Sequence, residues 1–275
     1  MEDNDSFNFV DIDSSTELIQ YRTSIQELFL DAFGKHLSES LWNWAYQQNP
    51  FGSPKVSMAF LKDKLVGHYA VIPMNLSLEG KHIKGYLSMT TMVSTECRGK
   101  QLFRKLAERV YDRIADDKEP AIVFGFPNDQ SAPGFIKRLG WTVSEDFHVV
   151  ALEKLDLSKA QELLMESMKN GYRLDLSDEK VRQWRCNKPD QEWNIENGIG
   201  LKSHIDGHDL MYIDNANLLG RLNIDTTLHA IMPVSREQAS ELDWTISFPY
   251  RFGYRAFNSE IEPKFGVQMC MSDVF

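Results

Sequence analysis

Residues Ser88–Leu106, SMTTMVSTECRGKQLFRKL, carry the reading from which the rest of the chain follows. An extended apolar run passes into Arg98-Gly99-Lys100-Gln101-Leu102-Phe103 and then into an amphipathic helix. A strand that enters a short basic turn and opens a helix builds an anion site. The first backbone N–H groups of a helix have no intrahelical partner, and the helix dipole favours negative charge there. Arg98, Lys100, Arg104 and Lys105 add cations, and no acid lies between Arg98 and Ala107. The turn reads as a seat for a pyrophosphate, and so for a nucleotide-like cofactor. An ordinary solvated helix start is the competing reading; the absence of acids and the strand–turn–helix context favour the anion seat.

Downstream, Leu102, Leu106, Val110 and Ile114 recur every four residues, flanked by Phe103, Ala107 and Tyr111. That stripe predicts a helix packed on a sheet. Residues 121–126 form a short apolar run, as in a central strand, and Pro127-Asn128 breaks it. A helix from about Ser131 to Leu139, closed by Gly140, leads into one strand from Trp141 to Leu152. Upstream, Leu18, Tyr21, Ile25, Leu28, Phe29 and Ala32 predict a helix over 15–33. Ser38 caps a second helix that Asn49-Pro50 stops. Residues 56–60 and 65–72 read as a hairpin, followed by a strand ending near Val93.

The composition, 42% hydrophobic and 25% charged over 275 residues, is that of a globular chain. A net charge of −10 argues against nonspecific nucleic-acid binding. Cys97, Cys186 and Cys270 are odd in number and lack metal-ligand spacing, so reduced thiols and no metal are expected. The start, MEDNDSFNFV, does not read as a signal peptide, and no apolar run approaches the ~18 residues that span a bilayer. A cytoplasmic protein without a membrane partner is the expectation.

The texture changes near Asp156, where a charged helix opens a half without a second basic turn. That half echoes the first. Leu37-Ser38 precedes Trp44 and Pro50, and Leu176-Ser177 precedes Trp184 and Pro189, with the same Leu-to-Pro distance and the Trp displaced by one residue. Coincidence and a degenerate duplication both account for this. The expected architecture is α/β: a central mixed sheet flanked by helices over residues 1–152, and an α+β half, a candidate degenerate copy, over residues 153–275.

With these features in place, the chain resembles the GNAT superfamily of acyl-CoA-dependent N-acyltransferases. The family's cofactor motif is Arg/Gln-x-x-Gly-x-Gly/Ala between a strand and a helix. Arg98 matches its first position, while Gln101 and Phe103 replace the two small residues. Phe126-Pro127-Asn128, Ser131-Ala132, Phe135 and Leu139-Gly140-Trp141 follow the family's strand, asparagine, helix and Leu-Gly-aromatic ending. The resemblance covers roughly residues 15–150. More narrowly, Trp44-x-Tyr46-x-x-Asn49-Pro50, Val66 to Pro73, Arg98-Gly99-Lys100 and Gly125-Phe126-Pro127-Asn128 look like a two-part subgroup associated with surface-polysaccharide pathways such as lipopolysaccharide O-antigen synthesis. Some of its members acylate the amine of a nucleotide-linked amino-deoxy sugar.

The resemblance implies acetyl-CoA or another short acyl-CoA as donor, an acyl group as large as 3-hydroxybutanoyl, and direct attack by a small-molecule amine. Acylation of a protein or peptide amine, and a CoA-binding module without catalysis, are the rival readings. The implied cofactor residues are Thr91, Met92, Val93, Arg98, Gly99, Lys100, Gln101, Leu102, Phe103, Arg104, Asn128 and Phe135, with a backbone N–H near Met92 or Val93 meeting the oxyanion. Asn128 holds pantetheine or acceptor in this reading, or simply caps the next helix. Many family members carry a glutamate on the strand, where Tyr86–Val93 has only Ser88, Thr90 and Thr91 as polar groups. They also carry a tyrosine at the position of Ile136. His68 is therefore the candidate base, equally a core histidine, with His148 and Asp129 behind it. Trp44, Tyr46 and Tyr212 are the candidate acceptor contacts, with core packing as the competing role; Asn215 and Asn217 offer only polarity.

Overall fold

In a computed structural model, residues 6–259 and 262–274 are described. The first half runs β1 (Phe7–Ile12), α1 (Ser15–Leu18), α2 (Arg22–Phe33), α3 (Glu39–Trp42), β2 (Lys55–Leu61), β3 (Lys64–Pro73), β4 (Leu76–Leu78), β5 (Lys81–Val93), α4 (Leu102–Asp116), β6 (Ala121–Gly125), α5 (Ala132–Leu139), β7 (Thr142–Ser144) and β8 (Phe147–Leu152). The second half adds α6 (Leu157–Lys169), β9 (Arg173–Leu174), α7 (Glu179–Cys186), β10 (Asn194–Glu196), β11 (Ile199–His204), β12 (Gly207–Ile213), β13 (Leu228–Pro233), α8 (Arg236–Glu241), β14 (Thr245–Pro249) and β15 (Phe252–Phe257).

The local expectations fare well where one element carries its own signal. Helix α4 buries Leu102, Leu106, Val110 and Ile114 against the sheet, and Gly140 closes α5 in the left-handed region at φ 65°. The helix expected over 15–33 is interrupted by a 3-10 turn at Ile19–Tyr21, and α3 continues as a π-helical turn over Asn43–Gln47.

One expectation needs correcting. The single strand from Trp141 to Leu152 is two strands in two sheets. The first sheet is ordered β1-β2-β3-β5-β6-β15-β7, and the second β10-β11-β12-β13-β8-β14. Strand β15, from the end of the chain, lies between β6 and β7, while β8 lies between β13 and β14. Each half thus lends its last strand to the other's sheet. The second sheet also repeats the first in outline: β5 and β6 are a parallel pair, and so are β12 and β13, among antiparallel neighbours. After β12 the copy diverges. Asp214-Asn215 leads into a 3-10 turn at Ala216–Arg221, where the first half has a basic turn and the long α4.

The echoed tryptophans meet at the junction of the halves. Trp44 and Trp184 stack with centroids 4.7 Å apart and planes 3° from parallel. Each indole N–H donates to the other's backbone carbonyl at 2.8 Å. The reciprocity is that of a local two-fold axis, and it satisfies both polar handles in a buried stack. Replacing Trp184 by Ala removes the stack and takes the indole N–H donor away from the Trp44 carbonyl. Denaturant unfolding of that variant should read a loss of ~3–5 kcal/mol, with Trp44→Ala far from additive on top of it.

Candidate active site

The site begins where two parallel strands stop pairing. The last β5–β6 pair is Leu87 with Phe124, and β5 continues alone towards Val93 while β6 ends at Gly125 and turns off through Pro127. On its other edge β5 pairs with β3 through an irregularity: His68 opposes Met92 and Ala70 opposes Met89, so Thr90 and Thr91 bulge opposite Tyr69. Thr90 sits at φ 49°, a left-handed conformation costly for a β-branched residue. Two side chains hold it. The Tyr46 hydroxyl bonds the Thr90 hydroxyl, and the His68 Nδ1–H donates to the Thr90 carbonyl at 2.8 Å.

A cavity of ≈ 960 Å³ fills the gap. It gathers Ser88 to Val93 of β5, Arg98 of the basic turn, Phe103 of α4, Gly125 to Asn128 after β6, and much of α5. Of the residues expected from sequence it brings together Thr91, Met92, Val93, Arg98, Phe103, Asn128 and Phe135. The described residues lining it include four cations, Lys35, Arg98, Lys137 and Arg138, and a single acid, Asp273. The cations are exposed, while Met89, Met92, Phe135 and Trp141 are buried. The lining therefore runs from charged at its solvent side to apolar within. That gradient fits an acyl-CoA, whose phosphates are anionic and whose pantetheine arm is thin and far less polar.

The basic turn is built as the anion reading requires. Gly99 lies at φ 83° and Gln101 at φ 61°, so the position that small residues fill in the resembled motif does adopt a left-handed conformation. Gln101 holds it at a cost of about 1–2 kcal/mol. Phe103 packs against Phe135 at 5.2 Å, and room for its ring comes from Gly134, where a Cβ would lie 3.2 Å from the Phe103 ring. The large residue at 103 is thus matched by a glycine across the α4–α5 contact. Of the remaining turn cations, Lys100 reaches over the Phe7 ring at 5.7 Å, and Arg104 pairs with Glu108 at 2.7 Å. Gly99, Lys100, Gln101, Leu102 and Arg104 do not line the cavity; Leu102 is core, and the turn's contribution there is Arg98.

Several candidates are placed elsewhere. Asn128 lines the cavity, yet its side-chain oxygen accepts from the Gln130 and Ser131 N–H groups at 3.1 and 2.9 Å, which closes the turn ahead of α5; the N-cap position of that helix is Ser131. Trp44 is in the stack with Trp184, and Tyr212 is buried in β12 with its hydroxyl donating to Asp214 at 3.2 Å. His148 is buried and bonded to the Val234 carbonyl, and Asp129 is paired with Arg251. His68 is wholly buried behind the bulge and lines no part of the cavity. Its geometry makes it the prop of Thr90 rather than a group that meets a substrate. The residues that sequence reasoning passed over are Lys35, Lys137, Arg138 and Asp273. The two cations on α5 were visible as a basic pair; Asp273 sits in a tail with no periodic pattern.

Residues 20–144 match the family model of the acetyltransferase (GNAT) domain. The match spans both strands that part and the turn between them. Solved structures of like fold cover nearly the whole chain. A GCN5-related N-acetyltransferase from Kribbella flavida aligns at 15% identity and TM-score 0.57, covering 91% of this chain and 72% of that one. One from Anabaena variabilis aligns at 16% identity and TM-score 0.55, covering 90% and 72%. A glucosamine N-acetyltransferase region of a fungal multi-domain β-N-acetylglucosaminidase aligns at 16% identity and TM-score 0.51, covering 92% of this chain and 38% of that one. No curated protein sequence matches the chain. Among the described residues no cluster of His, Cys, Asp or Glu could hold a metal ion, and no helix is long and apolar enough to cross a membrane.

Burial of His68 has a measurable consequence. It pushes the imidazole pKa down from 6.5 to about 4, against the opposing pull of the Thr90 carbonyl. In the unfolded chain the ring returns to its ordinary value, so between those two pH values the unfolded state binds a proton that the folded state refuses. Stability should fall as the pH drops from about 6.5 towards 4, by up to ~3 kcal/mol from this group. Unfolding free energies across that range should lose this component of the slope in His68→Gln.

Proposed function

We propose that the chain transfers an acetyl or other short acyl group from CoA to a primary amine by direct attack, and that the amine belongs to a nucleotide-linked amino sugar. The observation that carries the acyl-transfer step is the parted β5–β6 pair, with Arg98 and the start of α4 at one end of the opening and Met92 and Val93 along its edge. In this reading the diphosphate is held by Arg98 and the N–H groups that open α4, with Lys35, Lys137 and Arg138 meeting the remaining anionic groups. The pantetheine arm runs between β5 and Phe126, past Phe103 and Phe135. A β5 N–H near Met92 or Val93 meets the developing oxyanion, the interaction that counts most in acyl transfer. The acceptor assignment draws on the sequence motifs around Trp44, Val66 to Pro73 and Gly125 to Asn128. A fold neighbour that contains a glucosamine N-acetyltransferase region is in keeping with it. A cytoplasmic location goes with nucleotide-sugar chemistry.

The rival of a CoA-binding module without catalysis has one observation behind it. Strand β5 offers only Ser88, Thr90 and Thr91 to the cavity as polar side chains, and Ile136 points to solvent. Peptide acylation has no comparable support.

Two measurements separate these readings. Thiol release from acetyl-CoA should require an amine and be fastest with amino-sugar nucleotides; CoA binding with no turnover across sugars and lysine peptides would establish the binding module instead. Arg98→Glu places a negative charge against the diphosphate and should weaken CoA binding by ten-fold or more in calorimetry. An unchanged affinity would remove the diphosphate from that turn.

A further inference from the structure

We propose that Asp273, delivered by the C-terminal segment, is the general base that takes the proton of the acceptor amine; the proposal rests on the acyl-transfer reading above. Asp273 is the one acid among the described residues that line the cavity, and it does so alongside Thr90, Thr91, Met92 and Val93. No other described side chain there is a better proton acceptor: the cavity face of β5 offers hydroxyls, His68 is sealed behind the bulge, and the Asn128 oxygen is engaged by the turn N–H groups ahead of α5.

The segment that presents Asp273 is built rather than loose. Met269, Cys270 and Met271 are fully buried in a 3-10 turn. The wholly buried Arg185 of α7 donates to the Cys270 carbonyl and, at 2.9 Å, to the Ser272 carbonyl. Tyr250 bonds the Ser272 hydroxyl, which also accepts the Val274 N–H at 3.0 Å. Gln268 accepts the Ile213 N–H at 2.7 Å, which ties the segment to β12. A buried guanidinium is expensive to desolvate, and this one is bonded to a carbonyl within the turn and to the Ser272 carbonyl just before Asp273. The residues on either side of Asp273 are therefore fixed before any substrate arrives, which is what a proton acceptor in a preorganised site requires.

The surroundings suit the task. Burial raises the Asp273 carboxyl above the ordinary carboxylate range, against its own backbone N–H and the nearby cations Lys188, Arg185 and Lys35. Tyr46 and Tyr250 face the same region and feel its charge. The acceptor arrives as an ammonium. Asp273 takes one of its protons, and the freed nitrogen lone pair forms the C–N bond to the thioester carbonyl. The C–S bond then breaks, the CoA thiolate takes the second proton from nitrogen, and Asp273 returns its proton to solvent. The products are an amide and free CoA, with one proton released.

The test compares wild type, Asp273→Asn and Asp273→Glu by thiol release from acetyl-CoA, with glucosamine, a nucleotide-linked amino sugar and a lysine peptide as acceptors. CoA affinity is measured in parallel by calorimetry. Asp273→Asn should keep CoA affinity and lose at least a hundred-fold in kcat at neutral pH, with KM little changed. Its rate should climb steadily with pH as free amine becomes available, where the wild type levels off; Asp273→Glu should recover part of the activity. A kcat within three-fold of wild type with the same pH profile overturns the assignment, as does a loss confined to KM. Absence of turnover in wild type that still binds CoA overturns the acyl-transfer reading and this assignment with it. Wild-type turnover that Asp273→Asn retains to within three-fold overturns the assignment alone.

Discussion

Everything in the site depends on two parallel strands that cannot stay paired. Beyond Leu87 and Phe124 the ladder of β5 and β6 has nowhere to go: the Thr90–Thr91 bulge bends one strand, and Pro127, which has no N–H to give, turns the other away. Backbone groups on the inner edges are left facing a cavity instead of each other. An open wedge of this kind would be a liability in an isolated sheet, since unpaired edges invite other strands. Here the bulge is propped from behind by His68 and Tyr46, and β6 is fixed on its far side by β15. The opening persists because both of its walls are held independently.

That second support comes from the opposite half of the chain. Strand β15 pairs with β6 along Gly253–Phe257, and β8 repays the exchange between β13 and β14. The halves are consequently joined by two sets of backbone ladders and by the Trp44–Trp184 stack, and neither half has a complete sheet alone. In the second half the Asp214-Asn215 turn opens a 3-10 turn rather than a basic turn and a long helix. The contribution of that half is structural support for the first half's wedge and, through Arg185, the placing of the C-terminal segment.

What could be read from sequence follows the range of the forces involved. Helix α4, strand β6, helix α5 and the Gly140 cap are specified within a few residues by apolar spacing and by one left-handed turn, and all stand where their pattern put them. Seven of the candidate cofactor residues fall on the cavity because they lie on that same continuous stretch. The strand exchange was not legible, because β8 and β15 carry ordinary strand patterns that name no partner; Ser144 to Phe147 looks continuous until β15 takes the pairing of β7. His68 and Tyr212 looked available because a polar group on a strand does not reveal which face is sealed. Asp273 is invisible for the opposite reason: its position is set by Arg185 and Tyr250, far away in sequence, acting on a tail without periodicity.

The charge distribution gives the division of labour a physical basis. A chain of net charge −10 repels polyanions at long range, yet the described cavity lining carries Lys35, Arg98, Lys137 and Arg138 against Asp273 alone. Within a Debye length of ~8 Å those local cations outweigh the distant acidic surface, so the sign of the potential at the opening is set by what lines it rather than by the molecule's overall field. The same acidic surface lowers the cost of bringing a cationic amine close. A carboxylate among these cations would ordinarily be held ionised by them. At Asp273 burial, which raises the carboxyl, outweighs the opposing pull of its own backbone N–H and of Lys188, Arg185 and Lys35.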